Sequence, residues 1–235
     1  MIRRASDPVF APVRSQTAFE ETLERLGTAI KLGLLAPGAR LPPERDLCAQ
    51  MGISRSTLRQ ALTALVQSGH LRAVRGRRGG TFVSEDLPPA QAPTAEVVAG
   101  WRDVCDSRLA TELGVAVLAC DRARSEALAP LDELVAAMEG LLGDFPAYRH
   151  ADVLFHIGLA EATGSAPLVT AMTESQGAMS DLIDFIPHPA EVLSWSNAQH
   201  ARLLEAIRDG DVDHATRTIT EHLRGTEHVL AGLLP

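Results

Sequence analysis

Lysine and cysteine are scarce in this chain and long apolar runs are missing, and each absence removes a class of function. The single lysine is Lys31, so the remaining sequence offers no group to hold an aldehyde cofactor as a Schiff base. The three cysteines, Cys48, Cys105 and Cys120, are odd in number and form no C-x-x-C pair. That argues against a disulfide framework or a cysteine-ligated zinc site, and for reduced packing residues in a cytosol. No stretch approaches the roughly 18 apolar residues of a membrane span, and the N-terminus carries charge without the apolar core of a secretory signal. The expected setting is a soluble protein that is not exported.

Base is also short overall, with a formal net charge of −8, which by itself would argue against a nucleic-acid partner. The deficit is not evenly spread. Residues 1–84 hold 13 Lys and Arg against 6 Asp and Glu, a balance of +7, while residues 85–235 hold 9 against 24, a balance of −15. A chain of 235 residues is long enough for two cores. The partition implies a basic module that meets a phosphate backbone and an acidic one that stays off it.

The basic half is organised around Leu41 to Val83. Pro43 suits the first position of a helix, Glu44 and Asp46 place acid at its positive end, and Gly52 ends it. Ser54 can cap a second helix whose apolar face is Leu58, Ala61, Leu62 and Leu65, with a stop at Ser68 and Gly69. Arg55, Ser56 and Arg59 are left on the outer face, at the end that a helix-turn-helix inserts into the major groove. Two short strands follow, Leu71 to Arg75 and Thr81 to Val83, joined by a tip of glycine and arginine, Gly76 to Gly80. An arginine cluster alone is most often a solvated surface. Its coincidence with a helix-turn-helix pattern points to DNA.

An earlier helix is expected from Thr17, within a capping box, to about Leu35, on Phe19, Leu23, Leu26 and Ile30. Residues 1–16 read as a flexible tail. Residues 85–94, rich in proline, read as a linker between a DNA-binding domain over 17–84 and a second domain over 95–235.

From Thr94 onward the period is helical throughout, which predicts a bundle of six or seven antiparallel helices and a mainly α protein. The first helix is expected from about Glu96 to Ala119, with Arg108 on its apolar stripe. Others are expected over Leu128–Leu142, up to Thr163, over Pro167–Phe185, over Ser194–Asp209 and over Asp211–Leu233. Asp152 and His156, four apart, share one helix face, while His200 and His222 each lie on the apolar stripe of a later helix. Buried polar groups need partners. Each histidine could be satisfied separately by a carbonyl or water, or the four could surround a divalent metal in a set compatible with zinc, nickel or manganese. Arg108 could bind an anion, or pair with Glu112 one turn on. Asn197, one turn before His200, is a weaker candidate for the same role. The remaining histidines, His188 among them, are read as turn or surface residues.

The segments PGARLPPERDL, GISRSTLRQAL and GRRGGTFV resemble the GntR superfamily of bacterial transcription regulators. The runs ADVLFHIGLAEATG and NAQHARLLEAIRDGDVDHATRTITEHL are similar to the helical effector domain of its FadR subfamily. The resemblance implies that Arg45, Arg55 and Arg59 contact DNA, that Ser54, Ser56 and Thr57 hold phosphates or base edges, and that Gly76 and Arg77 enter the minor groove. It further implies Asp152, His156, His200 and His222 as metal ligands, with zinc favoured. A small carboxylate effector would be held at the metal and by Arg108, and a cytoplasmic homodimer would bind a pseudo-palindromic operator, most simply as a repressor. Ser165 and Gln199 depart from the family pattern, which has Asn and Glu there; Gln199 would alter the shell around the metal. The alternatives are a regulator whose signal is the metal itself, and a metal-dependent hydrolase carrying a DNA-binding module.

Overall fold

A computed structural model of the chain describes residues 18–76, 79–88, 95–183 and 188–233. The chain divides into two compact units between residues 89 and 90. The tail, the capping box at Thr17, most of the linker and Arg77 lie outside the described residues.

The first unit begins with α1, Ala18–Lys31, which buries Thr22, Leu26 and Ile30 at helical spacing. It stops short of Leu35 because Gly33 takes φ 71°, a left-handed turn that closes the helix. Helix α2, Glu44–Met51, has Pro43 as its cap rather than as its expected first helical residue, and ends at Gly52 with φ 66°. Helix α3, Arg55–Gln67, starts at Ser54, whose hydroxyl accepts the Thr57 N–H at 3.1 Å. Leu58, Ala61, Leu62 and Leu65 are its buried face.

Strands β1, Leu71–Val74, and β2, Gly80–Val83, pair antiparallel with Leu71 opposite Val83. The stretch Ala39 to Leu41, to which the sequence pattern assigns no element, runs along the other edge of β2. Leu41 N–H donates to Thr81 and Val83 N–H to Ala39, each at 2.9 Å. Arg40 thereby reaches the hairpin tip, where its guanidinium donates to the Gly79 carbonyl at 2.7 Å. Leu26, Ile30, Leu47, Leu58, Leu62, Leu71 and Val83 form one apolar core.

The second unit has seven helices among the described residues. They are α4 Ala95–Ala99, α5 Trp101–Arg122, α6 Ser125–Glu139, α7 Phe145–Ala162, α8 Ala166–Ile183, α9 Ala190–Asp209 and α10 Val212–Leu233. The helix expected to run unbroken from Glu96 divides at Gly100, with φ −94° and ψ 6°, where a residue of low helix propensity takes a bridge conformation. Helix α5 packs on α8 and α10, and α9 on α6 and α10. Trp101, Met179, Leu182, Ile183 and Leu230 form a core at one end. The buried face of α5 runs Trp101, Cys105, Arg108, Glu112, Val115, Ala119, so an ion pair interrupts an otherwise apolar stripe.

Candidate metal centre and nucleic-acid interface

In the first unit, Arg45 and Arg59 leave 81% and 70% of their side chains exposed, and Arg55 is exposed beside them at the start of α3. Arg59 donates to Glu44 at 2.8 Å, tying α3 to α2, and Arg45 donates to Asp46 at 3.1 Å. The Ser54 hydroxyl lies 2.8 Å from both the Ser56 and the Thr57 hydroxyls, so its first task is to organise the helix start. On the hairpin, Gly76 takes φ 112° with open space beyond its α-carbon. A side chain there would be strained by the backbone even though nothing blocks it. Arg40 and Arg72 lie over the Phe82 ring, 6.0 and 5.0 Å from its centre.

In the second unit, α7 turns Arg149, Asp152 and His156 onto one buried face at three- and four-residue spacing. Asp144 caps that helix by accepting the Ala147 N–H at 3.2 Å. His200 arrives from α9 and His222 from α10, and one ligand-capable atom from each of Asp152, His156, His200 and His222 lies within 4.8 Å of all the others. Asp152 Oδ1 is 3.4 Å from His200 Nε2 and 3.7 Å from His156 Nε2. His200 Nε2 and His222 Nε2 are 3.4 Å apart. Ligands about 2.1 Å from a tetrahedral metal stand about 3.4 Å from one another. His156, fully buried, has no hydrogen-bond partner at Nε2; with its proton on Nδ1, the side facing Glu112, Nε2 carries an orphaned lone pair that a cation beside Asp152 would satisfy.

The groups behind these four hold them in place. Glu112 Oε2 lies 2.7 Å from His156 Nδ1, although the approach is not aligned as a hydrogen bond. Its other oxygen accepts from Arg108 Nε at 2.6 Å and from Gln176 Nε2 at 3.2 Å. Arg149 donates to Asp152 at 2.5 Å, to Gln176 Oε1 at 3.0 Å and to the Ser180 hydroxyl at 3.1 Å. Gln199, the departure from the family pattern, meets His222 Nδ1 with its amide oxygen at 3.2 Å. With that oxygen as acceptor the proton sits on Nδ1 and the lone pair on Nε2, facing Asp152 and His200.

The electrostatics suit cation binding. Burial opposes ionisation of Asp152, but His156, Arg149, His200 and His222 outweigh it and hold the carboxyl well below its usual range. Burial likewise opposes ionisation of Glu112, and His156 and Arg108 outweigh it in the same way. Burial pushes His200 down to about 3 against the pull of Asp152, and burial with His200 and His156 pushes His222 well down. Ionised carboxylates and neutral imidazoles are the protonation states metal ligands need. The permanent charges of the cluster, Arg108, Arg149, Glu112 and Asp152, cancel.

A cavity of about 260 Å³ opens beside the cluster, lined at that end by Arg108, Asp152, His222, Ser196 and Gln199. Arg108 pairs with Glu112, as one of its two expected roles required, and also lines the cavity. Asn197 does not reach the cavity. Its amide donates to the Val135 carbonyl at 3.0 Å and to Glu139 at 3.3 Å, on α6, because one residue of offset from Ser196 turns it about 100° around the helix. The sequence reading passed over Arg149 and Gln176. Arg149 was detectable as the residue three before Asp152 on the same face; nothing local marks Gln176. His188, read as a turn residue, stacks on Phe145 and lines the cavity.

Residues 19–83 match the family model of bacterial regulatory proteins, gntR family, and residues 103–225 match that of the FCD domain. The chain belongs to the GntR family. RmpR of Mycobacterium gastri, provisionally named an HTH-type transcriptional regulator, is 33% identical over 214 residues, 86% of this chain and 76% of RmpR. A protein of Escherichia coli K12, provisionally named the L-lactate dehydrogenase operon regulatory protein, is 31% identical over 221 residues, 87% of this chain and 83% of its own. Among solved structures, E. coli McbR/YncC superimposes with a TM-score of 0.57 at 20% identity, over 93% of this chain and 99% of McbR, a likeness of fold. This GntR chain is a transcriptional regulator with an FCD effector domain, not an enzyme. Regulators of this kind bind DNA operators and small-molecule effectors. No helix among the described residues is long and apolar enough to cross a membrane.

Proposed function

We propose that this protein is a FadR-subfamily repressor that binds a pseudo-palindromic operator as a homodimer and responds to a small carboxylate held at a metal in the FCD domain. Arg45, Arg55, Arg59, Ser54, Ser56, Thr57, Gly76 and Arg77 are assigned to DNA. Asp152, His156, His200 and His222 would hold a divalent transition metal; zinc suits one carboxylate and three imidazoles best, with nickel and manganese compatible. When bound, such a metal supplies open coordination positions for a carboxylate. Arg108 orients that carboxylate from the cavity side with its guanidinium, Glu112 and Gln199 set the tautomers of His156 and His222, and Arg149 fixes Asp152.

The observation that carries this reading is the set of four ligand-capable atoms within 4.8 Å of one another, buried beside a cavity that Arg108 also lines. Effector occupancy alters how the effector domains hold the two readers, and so the half-site spacing they can span.

The test is elemental analysis of untagged protein prepared without chelator, for the native chain and for His200→Ala/His222→Ala, followed by operator binding with a panel of small carboxylates. Near one equivalent of transition metal is expected in the native chain and its loss in the variant, with at least one carboxylate changing operator affinity tenfold. A folded native chain without metal removes the metal reading. Bound carboxylates with unchanged operator affinity would sink the effector reading. Operator affinity that follows metal alone identifies the metal as the signal.

A further inference from the structure

The cavity beside the cluster is larger and less polar than a small carboxylate requires, and its two kinds of lining are arranged in sequence along three helices. On α7 Asp152 is followed, seven residues back, by Phe145; on α9 Gln199 is paired in the same way with Val192; on α10 His222 is paired with Val229, seven residues on. Seven residues are two helical turns on one face, a rise of about 10 Å. The cavity thus runs about 10 Å from a polar end at the cluster to an apolar end built by Phe145, Ile183, Leu193 and Val229.

At the apolar end Phe145 and His188 are stacked with ring centres 3.5 Å apart and planes within 7°, a flat wall. Trp195 and Val192, which also line it, remain 55% and 45% exposed, apolar surface that an occupant would cover. A cavity of about 150 Å³ suffices for benzene; this one measures about 260 Å³, room for a ring and an acid head together.

We infer that the effector is a carboxylate carrying a ring-sized apolar group, with its acid end at Arg108 and the Asp152–His222 side of the cluster and its ring between the Phe145 wall and Val229. The inference rests on the carboxylate reading above and adds the class of substituent.

The test is calorimetric titration of the full-length, metal-replete chain with two matched pairs of acids, lactate against 3-phenyllactate and acetate against phenylacetate, and with 2-phenylethanol as the ring without the acid. In at least one pair the phenyl acid is expected to bind about 30- to 100-fold more tightly than its parent, the gain from burying one ring. Val229→Phe, checked for native circular dichroism, should narrow that gap to within about threefold by filling the apolar end. Parent acids that bind as tightly as the phenyl acids overturn this inference and leave the carboxylate reading standing. 2-Phenylethanol binding as tightly as 3-phenyllactate overturns the carboxylate reading and the inference with it. The same holds if a folded chain binds none of the five.

Discussion

The DNA-reading unit packs leucine on leucine and keeps its charges outside, whereas the effector unit encloses two arginines, two carboxylates and three imidazoles. Among the described residues, the first unit buries no titratable side chain at all. The second buries Arg108, Glu112, Arg149, Asp152, His156, His200 and His222. An apolar core is stabilised by area removed from water, spread over many contacts. A buried charge cluster gives little net stability and is sensitive to the loss of any one member, since each loss strands a charge without a partner. The first unit is thus built to persist as a rigid reader, and the second to respond to what binds it.

The largest effect should come from Glu112→Ala, which strips the acceptor from Arg108, Gln176 and His156 together. A loss of about 3–5 kcal/mol is expected, with Glu112→Gln milder. Both tryptophans, Trp101 and Trp195, lie in the second unit, so their emission during a denaturant melt follows that unit alone. A loss below about 1 kcal/mol would break the contrast.

Leu58→Ala is its counterpart in the first unit. It opens a void beneath a fully buried side chain at a cost of about 3 kcal/mol, and hydrogen exchange should show the loosening in residues 18–88 with the second unit unchanged.

Acid sharpens the comparison further. His200 and His222 have folded pKa values below those of the unfolded chain, so the unfolded state takes up protons first. In chelator-treated protein, stability of the second unit should be constant well above about pH 6.5 and fall below it, by on the order of 2 kcal/mol for each of the two histidines at pH 5. Asp152 and Glu112, held low by their partners, stabilise the fold above the unfolded carboxylate range and add to the loss as pH falls beneath about 4. Exchange in the first unit should move much less over the interval from pH 7.5 to 5. Equal acid sensitivity in both units would contradict the assignment of the buried cluster as its source.

The smallest effect is expected from Ser54→Ala, which removes the cap of α3 at a cost of about 1 kcal/mol, visible as faster exchange in the first turn of that helix.

Legibility in the sequence followed the range of the interactions involved. The helix-turn-helix could be read because its signals are local: the Ser54 cap, the Gly52 stop and four apolar positions at one spacing. The period of the second half announced a helical bundle for the same reason, and the stripes of α7, α9 and α10 already carried the four groups that the fold gathers within 4.8 Å. The strand-like pairing of Ala39 to Leu41 could not be read, since it depends on β2 some forty residues later. Gln176 bonding to Glu112, 64 residues earlier in the chain, is equally invisible to periodicity. The bonds of the Asn197 amide to Val135 and Glu139 on α6 are likewise long-range and leave no trace in its local pattern.

The cancelling charges of the buried cluster have a thermodynamic consequence. Two guanidiniums already neutralise Glu112 and Asp152, so a dication entering among the histidines would leave the interior with excess positive charge, which an arriving anion would relieve. A metal and an anionic effector bound as proposed would be heterotropic ligands: each would raise the other's affinity, and by linkage the two factors would be equal. Whatever ratio of metal dissociation constants is found with and without the anion must reappear, unchanged, as the ratio of anion dissociation constants with and without the metal.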